Sequence, residues 1–310
     1  MNSTLFFNNI TCIDHAFVDN LGNIVGGSFH PIIKVKGKVT DDESVVVDFS
    51  SGKKAMKAVI DHADGKIGLD HKLWVIPGYS ACMVKNYSDT HYEIETRNGS
   101  ILRLPKTDVH TVSVNFDGSI GNTVGRDIAA ILGEQMPGFE FDVTLTQQPF
   151  AITNSPIMFR YSHGLKNSTS YGCKNIAHGH LSFFEITERG NDWRADCDDC
   201  KTGDRIIRDS LNEINGSMFI MQNNIVSQDD NWIEFAYETP RGQMWAKINR
   251  NEQANIIVPT ETTIEYLAEF VAHRMMSALL LAKVREFRIS EGLQKGVVYR
   301  VDTDPGNVIF

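Results

Sequence analysis

No stretch of this 310-residue chain approaches the ~18 consecutive apolar residues of a membrane helix, so none is expected. The opening residues, Met1-Asn-Ser-Thr-Leu-Phe-Phe-Asn-Asn, lack a basic segment leading into an apolar one, and no signal peptide is expected either. An excess of positive charge is also missing. Thirty Lys and Arg against 39 Asp and Glu leave a net charge of −9. The chain therefore has no general attraction for nucleic acid or anionic lipid, and an anionic small substrate would need a local basic patch. Cysteine is scarce: Cys12, Cys82, Cys173, Cys197 and Cys200. An odd, scattered set in a chain this size reads as reduced thiols and a cytoplasmic protein.

What is present fits globular protein: 42% hydrophobic and 22% charged residues. The length suits two domains of roughly 150 residues. The halves echo each other. Residues 5–15 and 157–163 are strand-like runs, each ending in a His (His15 and His163). Residues 27–37 and 178–186 form a second strand in each half, alternating apolar with polar over part of their length. Helices are expected at 50–62 and 122–134 in the first half, and at 201–214 and 259–273 in the second. Pro259 precedes the last helix, Thr260 is its expected cap, and Ile264, Leu267, Ala268 and Val271 share its apolar face. Strands at 139–146 and 284–290 close the halves. The expectation is an α+β chain of two β–β–α–α–β–β-like modules, 1–150 and 151–310, joined near residues 147–155, where Pro149 and Pro156 suit a linker.

The densest chemistry is His178-Gly-His180. On a strand, both imidazoles project from one face. His163, ending the preceding strand, supplies a third nitrogen from a neighbouring position. Three His and one open position is the layout of a catalytic zinc. Cys173 lies five residues upstream of His178 and reads as a fourth ligand, an inert buried thiol, or a base whose pKa the cation depresses; the last is preferred. Cys197-Asp-Asp-Cys200 has no second pair to make a structural zinc site. Its acidic neighbours, which would raise the thiol pKa values, make it an acidic loop with two thiols.

Tyr161-Ser-His-Gly-Leu165, Cys173-x4-His178-Gly-His180, Pro259-Thr-Glu261, Ser290-Glu291 and Val297-Val-Tyr-Arg300 together resemble the 6-pyruvoyltetrahydropterin synthase / 6-carboxytetrahydropterin synthase family. Leu69-Asp-His71 and Val45-Val-Val-Asp-Phe49 resemble two further segments of it. The resemblance implies two tandem tunnelling-fold (T-fold) modules with helices on one face of antiparallel sheets, closing into a barrel in a homo-oligomer. It also implies Zn2+ on His163, His178 and His180; Cys173, Asp70 and His71 as catalytic residues; and Thr260, Glu261 and Glu291 lining the pterin pocket, with Glu291 as ring anchor. The first module departs from the pattern. It has Ser28-Phe-His30 in the place expected for His-Gly-His, and Gln147 in the place of the anchoring Glu. The second is expected to read Met218–Met221 where Leu-Asp-His should stand. Each half retains what the other lacks, so a composite site is expected. The implied substrate is 7,8-dihydroneopterin triphosphate, with Lys166, Lys174 and Arg160 as candidate phosphate partners. The implied product is 6-carboxytetrahydropterin or, in the family's other branch, the 6-pyruvoyl compound. A zinc protein that binds a pterin or purine-like ligand without turnover is the alternative.

Overall fold

The apolar alternation near the N-terminus makes two strands, not one. β1 (Asn2–Asn8) and β2 (Ile13–Val18) are separated at Asn9, whose φ is +52°. A long β3 (Ile24–Lys38) pairs its first half with β2 and its second half with β1. The computed structural model describes residues 2–39, 45–61, 68–149, 156–170 and 172–301. His62 of the expected first helix and residues 150–155 of the expected junction lie outside the described residues.

The first half continues with α1 (Phe49–Ile60), β4 (Leu73–Val75), β5 (Cys82–Asn86), β6 (His91–Thr96), β7 (Ile101–Pro105), β8 (Val109–Thr111), α2 (Ile120–Gln135) and β9 (Glu140–Thr146). Asp48 caps α1 by accepting from the N–H groups of Ser50 and Ser51. The second half runs β10 (Ile157–His163), β11 (His178–Arg189), α3 (Asp198–Ile214), β12 (Ser217–Met221), β13 (Ile225–Gln228), β14 (Trp232–Thr239), β15 (Gly242–Asn249), β16 (Asn255–Val258), α4 (Ile264–Arg274), α5 (Met276–Leu281), β17 (Val284–Glu291) and β18 (Lys295–Arg300). The last long helix starts later than expected. Pro259 to Thr263 precede it, and neither Thr260 nor Thr263 caps it with a side-chain bond. Among the described residues, no helix is long and apolar enough to cross a membrane.

The chain is α+β. One sheet runs β1-β3-β2-β4-β8, with β9 also on β3, and a second runs β16-β12-β10-β11-β17-β18. Most pairs are antiparallel; β2/β4, β4/β8, β10/β12 and β12/β16 are parallel. The β–β–α–α–β–β outline omitted a third sheet, β13-β14-β15-β7-β6-β5, which takes strands from both halves and joins them at Trp245–Arg103. Each large sheet has its own core. Trp74, Met56 and Ile128 lie beneath the first, and Phe184, Phe287 and Leu279 beneath the second. A third core is shared, with Leu73, Leu102 and Leu104 meeting Ile176, Met218 and Phe235. Fully burying such side chains contributes roughly 1.5–3 kcal/mol each.

Hydrogen-bond registers align the halves and correct two correspondences. Asp14 N–H donates to Asp70 Oδ1 (2.8 Å), and His71 N–H donates to Asp14 O (2.5 Å). Arg160 N–H donates to Asn215 Oδ1 (2.7 Å), and Gly216 N–H donates to Arg160 O (2.7 Å). The counterpart of Asp70-His71 is therefore Asn215-Gly216, not Met218–Met221. Both His71 and Gly216 have positive φ, +58° and +82°. Likewise His15 faces Gly27 across its hairpin as Tyr161 faces His180. The counterpart of His-Gly-His is thus Val25-Gly26-Gly27, not Ser28-Phe-His30.

Candidate active site

Strand periodicity and the β10/β11 register place the three histidines together. His163 pairs with His178, and His180 lies one step along the same face. All three are completely buried. His163 Nε2 and His180 Nε2 lie 3.1 Å apart, and one nitrogen from each of the three rings falls within 4.8 Å of the others.

The partners of the other ring nitrogens fix the tautomers of His163 and His178. His178 Nδ1 lies 2.8 Å from Asn175 O, which only accepts, so Nδ1 carries the proton. Thr262 Oγ1 donates to Gly164 O, leaving its lone pairs for His163 Nδ1–H at 3.0 Å. His180 Nδ1 lies 3.3 Å from the Asp14 carboxylate. The Nε2 lone pairs of His163 and His178 are therefore free to face the His180 ring, whose Nδ1 stands 3.3 Å from Asp14 outside hydrogen-bond geometry. Burial, then the charges of neighbouring histidines, hold His163 and His178 well below the ordinary imidazole pKa. His178 Nε2 is buried with no hydrogen-bond partner among the described residues. Three buried imidazole nitrogens within reach of one ion, one of them without any polar partner, make a donor set that fits zinc.

Cys173 approaches from a short 3-10 turn, Gly172–Lys174. One nitrogen of His71, the Cys173 sulfur and one nitrogen of His178 lie within 4.8 Å of one another. His71 comes from the first half. Its segment is held by Trp74 Nε1–H donating to Leu69 O (3.0 Å), by the Asp14 carbonyl, and by Asn175 Nδ2 donating to His71 O (2.9 Å). Left-handed backbone costs a non-glycine residue roughly 1–2 kcal/mol, and these bonds offset it. Gly172 lets the turn approach, since a Cβ there would stand 2.7 Å from His71 Cβ. His71 Nδ1 pairs with Asp70 Oδ2 at 2.7 Å, leaving Nε2 for the thiol. Burial alone would lower the His71 pKa, but the charge of Asp70 and its hydrogen bond raise it well above the ordinary value. Burial pushes the Cys173 thiol up, and the hydrogen bond and charge of His71 outweigh it, holding the thiol below its ordinary value.

Glu291 joins this group. Its Oε1 lies 3.9 Å from His180 Nε2, and its Oε2 pairs with Lys295 Nζ at 3.0 Å. A cavity of about 360 Å3 opens here, lined by Thr11, Cys12, Asp14, Lys57, Asp61, Asp70 and His71 from the first half and Glu291, Gln294 and Lys295 from the second. A larger cavity, about 450 Å3, lies beside α3 near Trp193 and contains none of these groups.

The remaining candidates stand elsewhere. Thr260 and Glu261 are not among the residues lining the cavity, and Glu261 accepts a bond from Asn167 (2.6 Å). Of the expected phosphate partners, Arg160 is turned away, donating to Gly26 O and Gln147 Oε1, both at 3.0 Å. Lys174 donates to Lys166 O, and neither lysine lines the cavity. The cations that line it are Lys57 and Lys295. Cys197 is not in an acidic loop: it caps α3, accepting from Cys200 N–H. A hydrogen bond from the Cys200 thiol and then that N–H hold Cys197 below the ordinary thiol value, overriding the acidic neighbours. Asp14, Ser28 and Thr262 belong to the site but act through contacts distant along the chain, and Asn175, only three residues from His178, acts through its backbone carbonyl, which no side-chain pattern marks.

No protein-family model matches the chain, and no curated protein matches it. Solved structures do. A catalytic-residue mutant of Plasmodium vivax 6-pyruvoyltetrahydropterin synthase is similar at 18% identity over 49% of this chain and 94% of that chain, with a TM-score of 0.37. The Plasmodium falciparum 6-pyruvoyl tetrahydropterin synthase is similar at 20% identity over 48% and 94%, also with a TM-score of 0.37.

Proposed function

We propose that the chain is a zinc-dependent lyase with two tandem T-fold modules, residues 1–150 and 151–310, acting on 7,8-dihydroneopterin triphosphate to form 6-carboxy-5,6,7,8-tetrahydropterin. One observation carries the reading: the converging ring nitrogens of His163, His178 and His180 are buried beside a partly exposed Cys173–His71–Asp70 chain. The sequence signature supplies the pterin.

Zinc held by His163, His178 and His180 would supply Lewis acidity toward the side-chain hydroxyl oxygens. Cys173, as thiolate, is placed to take a proton from the substrate side chain. His71, protonated and fixed by Asp70, stabilises the thiolate and returns a proton, as the oriented base does in other triads. Glu291 would accept two N–H bonds from the amino-pyrimidine edge of the ring. The cavity volume suits a ligand of this size. Lys57 and Lys295 are already paired with Asp61 and Glu291, so a triphosphate would compete with those carboxylates. Outer strands β16 and β18 end the second sheet, and pairing between such edges supports a homo-oligomer.

Cys173→Ala tests the reading. The enzyme account expects zinc and pterin binding to persist while turnover falls by about 10²–10⁴-fold. Unchanged turnover in that variant would remove Cys173 from the chemistry.

A further inference from the structure

His180 is the metal-site histidine whose second nitrogen faces the other half of the chain. Asp14 Oδ1 lies 3.3 Å from His180 Nδ1, and both side chains are buried. The same Oδ1 accepts a bond from Ser28 Oγ at 2.6 Å. Ser28 Oγ in turn accepts from Leu181 N–H at 3.0 Å. Asp14 thus faces the His180 ring at ion-pair distance, short of hydrogen-bond geometry, and through Ser28 is tied to the backbone beside it. His163 and His178 take their Nδ1 partners, Thr262 and Asn175, from their own half.

The opposite half shows what accompanies loss of the ligand. Gly27 is the counterpart of His180, and Arg160 is the counterpart of Asp14 by its hydrogen bonds to Asn215 and Gly216. Where the imidazole is missing, the carboxylate is missing too. The His15 ring lies closest to Gly27, and the Arg160 guanidinium beside it bonds to Gly26 O and Gln147 Oε1.

We infer that Asp14, supported by Ser28, is a positioning residue for the metal: it fixes the His180 tautomer and ring from across the junction, so that the metal site is complete only where the two halves meet. The inference rests on the zinc reading above. A carboxylate behind a ligating histidine orients the ring and increases its basicity, and its removal lowers metal affinity about 10–100-fold.

The test uses full-length protein, stripped of metal and titrated with zinc against a chromogenic chelator. Asp14→Asn keeps the size and the Ser28 partner but removes the charge. The zinc Kd of this variant is expected to rise about 10–100-fold, while thermal unfolding of the metal-free protein stays near wild type. Ser28→Ala is expected to raise the Kd less, and the double variant to raise it by less than the product of the two. Wild-type zinc affinity in Asp14→Asn would overturn the inference and leave the zinc reading standing. Loss of metal-free stability with unchanged Kd would overturn it too, showing a structural role only. A wild-type protein that takes up no zinc would overturn both.

Discussion

Gly26 and Gly179 pass each other backbone to backbone where the two hairpins cross: a Cβ on Gly179 would stand 2.6 Å from Gly26 Cα. A Cβ on Gly26 would stand 1.8 Å from Tyr161 O. These are corresponding positions in the two halves, and the crossing brings Asp14 and His71 to His163, His178 and His180. Gly26→Ala and Gly179→Ala are each expected to destabilise the protein by several kcal/mol, because backbone rather than a flexible side chain must give way. Denaturant unfolding checks this, and wild-type midpoints would contradict it.

His71 stands beside Cys173 and holds its thiol below the ordinary value. In zinc-free protein, the midpoint of a thiol-alkylation pH profile is expected below the ordinary thiol value of 9.0. Asparagine tolerates the left-handed backbone, so His71→Asn is the suitable variant. It removes the favourable bond and charge and leaves burial, which raises a thiol pKa, so its midpoint is expected above 9.0. A shift downward would contradict the pairing.

Asn175 ties the loop before His178 to the first half. It is fully buried, donates to His71 O and to Asp108 O (3.0 Å), and accepts from Ala177 N–H (3.0 Å). Asn175→Ala leaves three buried groups unsatisfied and is expected to cost roughly 2–4 kcal/mol. Its carbonyl still meets His178, so zinc binding should weaken less than stability. Unfolding and zinc titration on the same sample separate the two effects.

Much of this site is written in short-range patterns. The strand period puts His178 and His180 on one face, and the end of β10 puts His163 opposite. Asp14, Ser28 and Thr262 have no such pattern. Thr262 meets His163 across 99 positions, and Ser28 meets Leu181 across 153. The third sheet was hidden for the same reason, since β7 finds its partner β15 in the other half. Thr260 looked like a cap because a Thr follows Pro259, but the helix waits until Ile264. Cys200 does stand above the ordinary thiol value, through its bond to Cys197, but Cys197 stands below it, because the N-cap bond from Cys200 is invisible without the helix start.

Metal removal offers a check independent of turnover. Ligand at about 100 times its Kd stabilises a fold by about 2.7 kcal/mol. Chelation is therefore expected to lower the melting temperature by several degrees, and stoichiometric zinc to restore it where magnesium does not. Identical melting with and without zinc would contradict a structured metal site.

One composite site, with the three histidines and the thiol from the second half and the Asp70–His71 pair from the first, is proposed to transform a pterin side chain. Incubating zinc-loaded protein with 7,8-dihydroneopterin triphosphate and analysing the mixture by mass spectrometry tests it most directly. The account predicts substrate loss with 6-carboxytetrahydropterin, acetaldehyde and triphosphate appearing together, whereas intact substrate after prolonged incubation would contradict it.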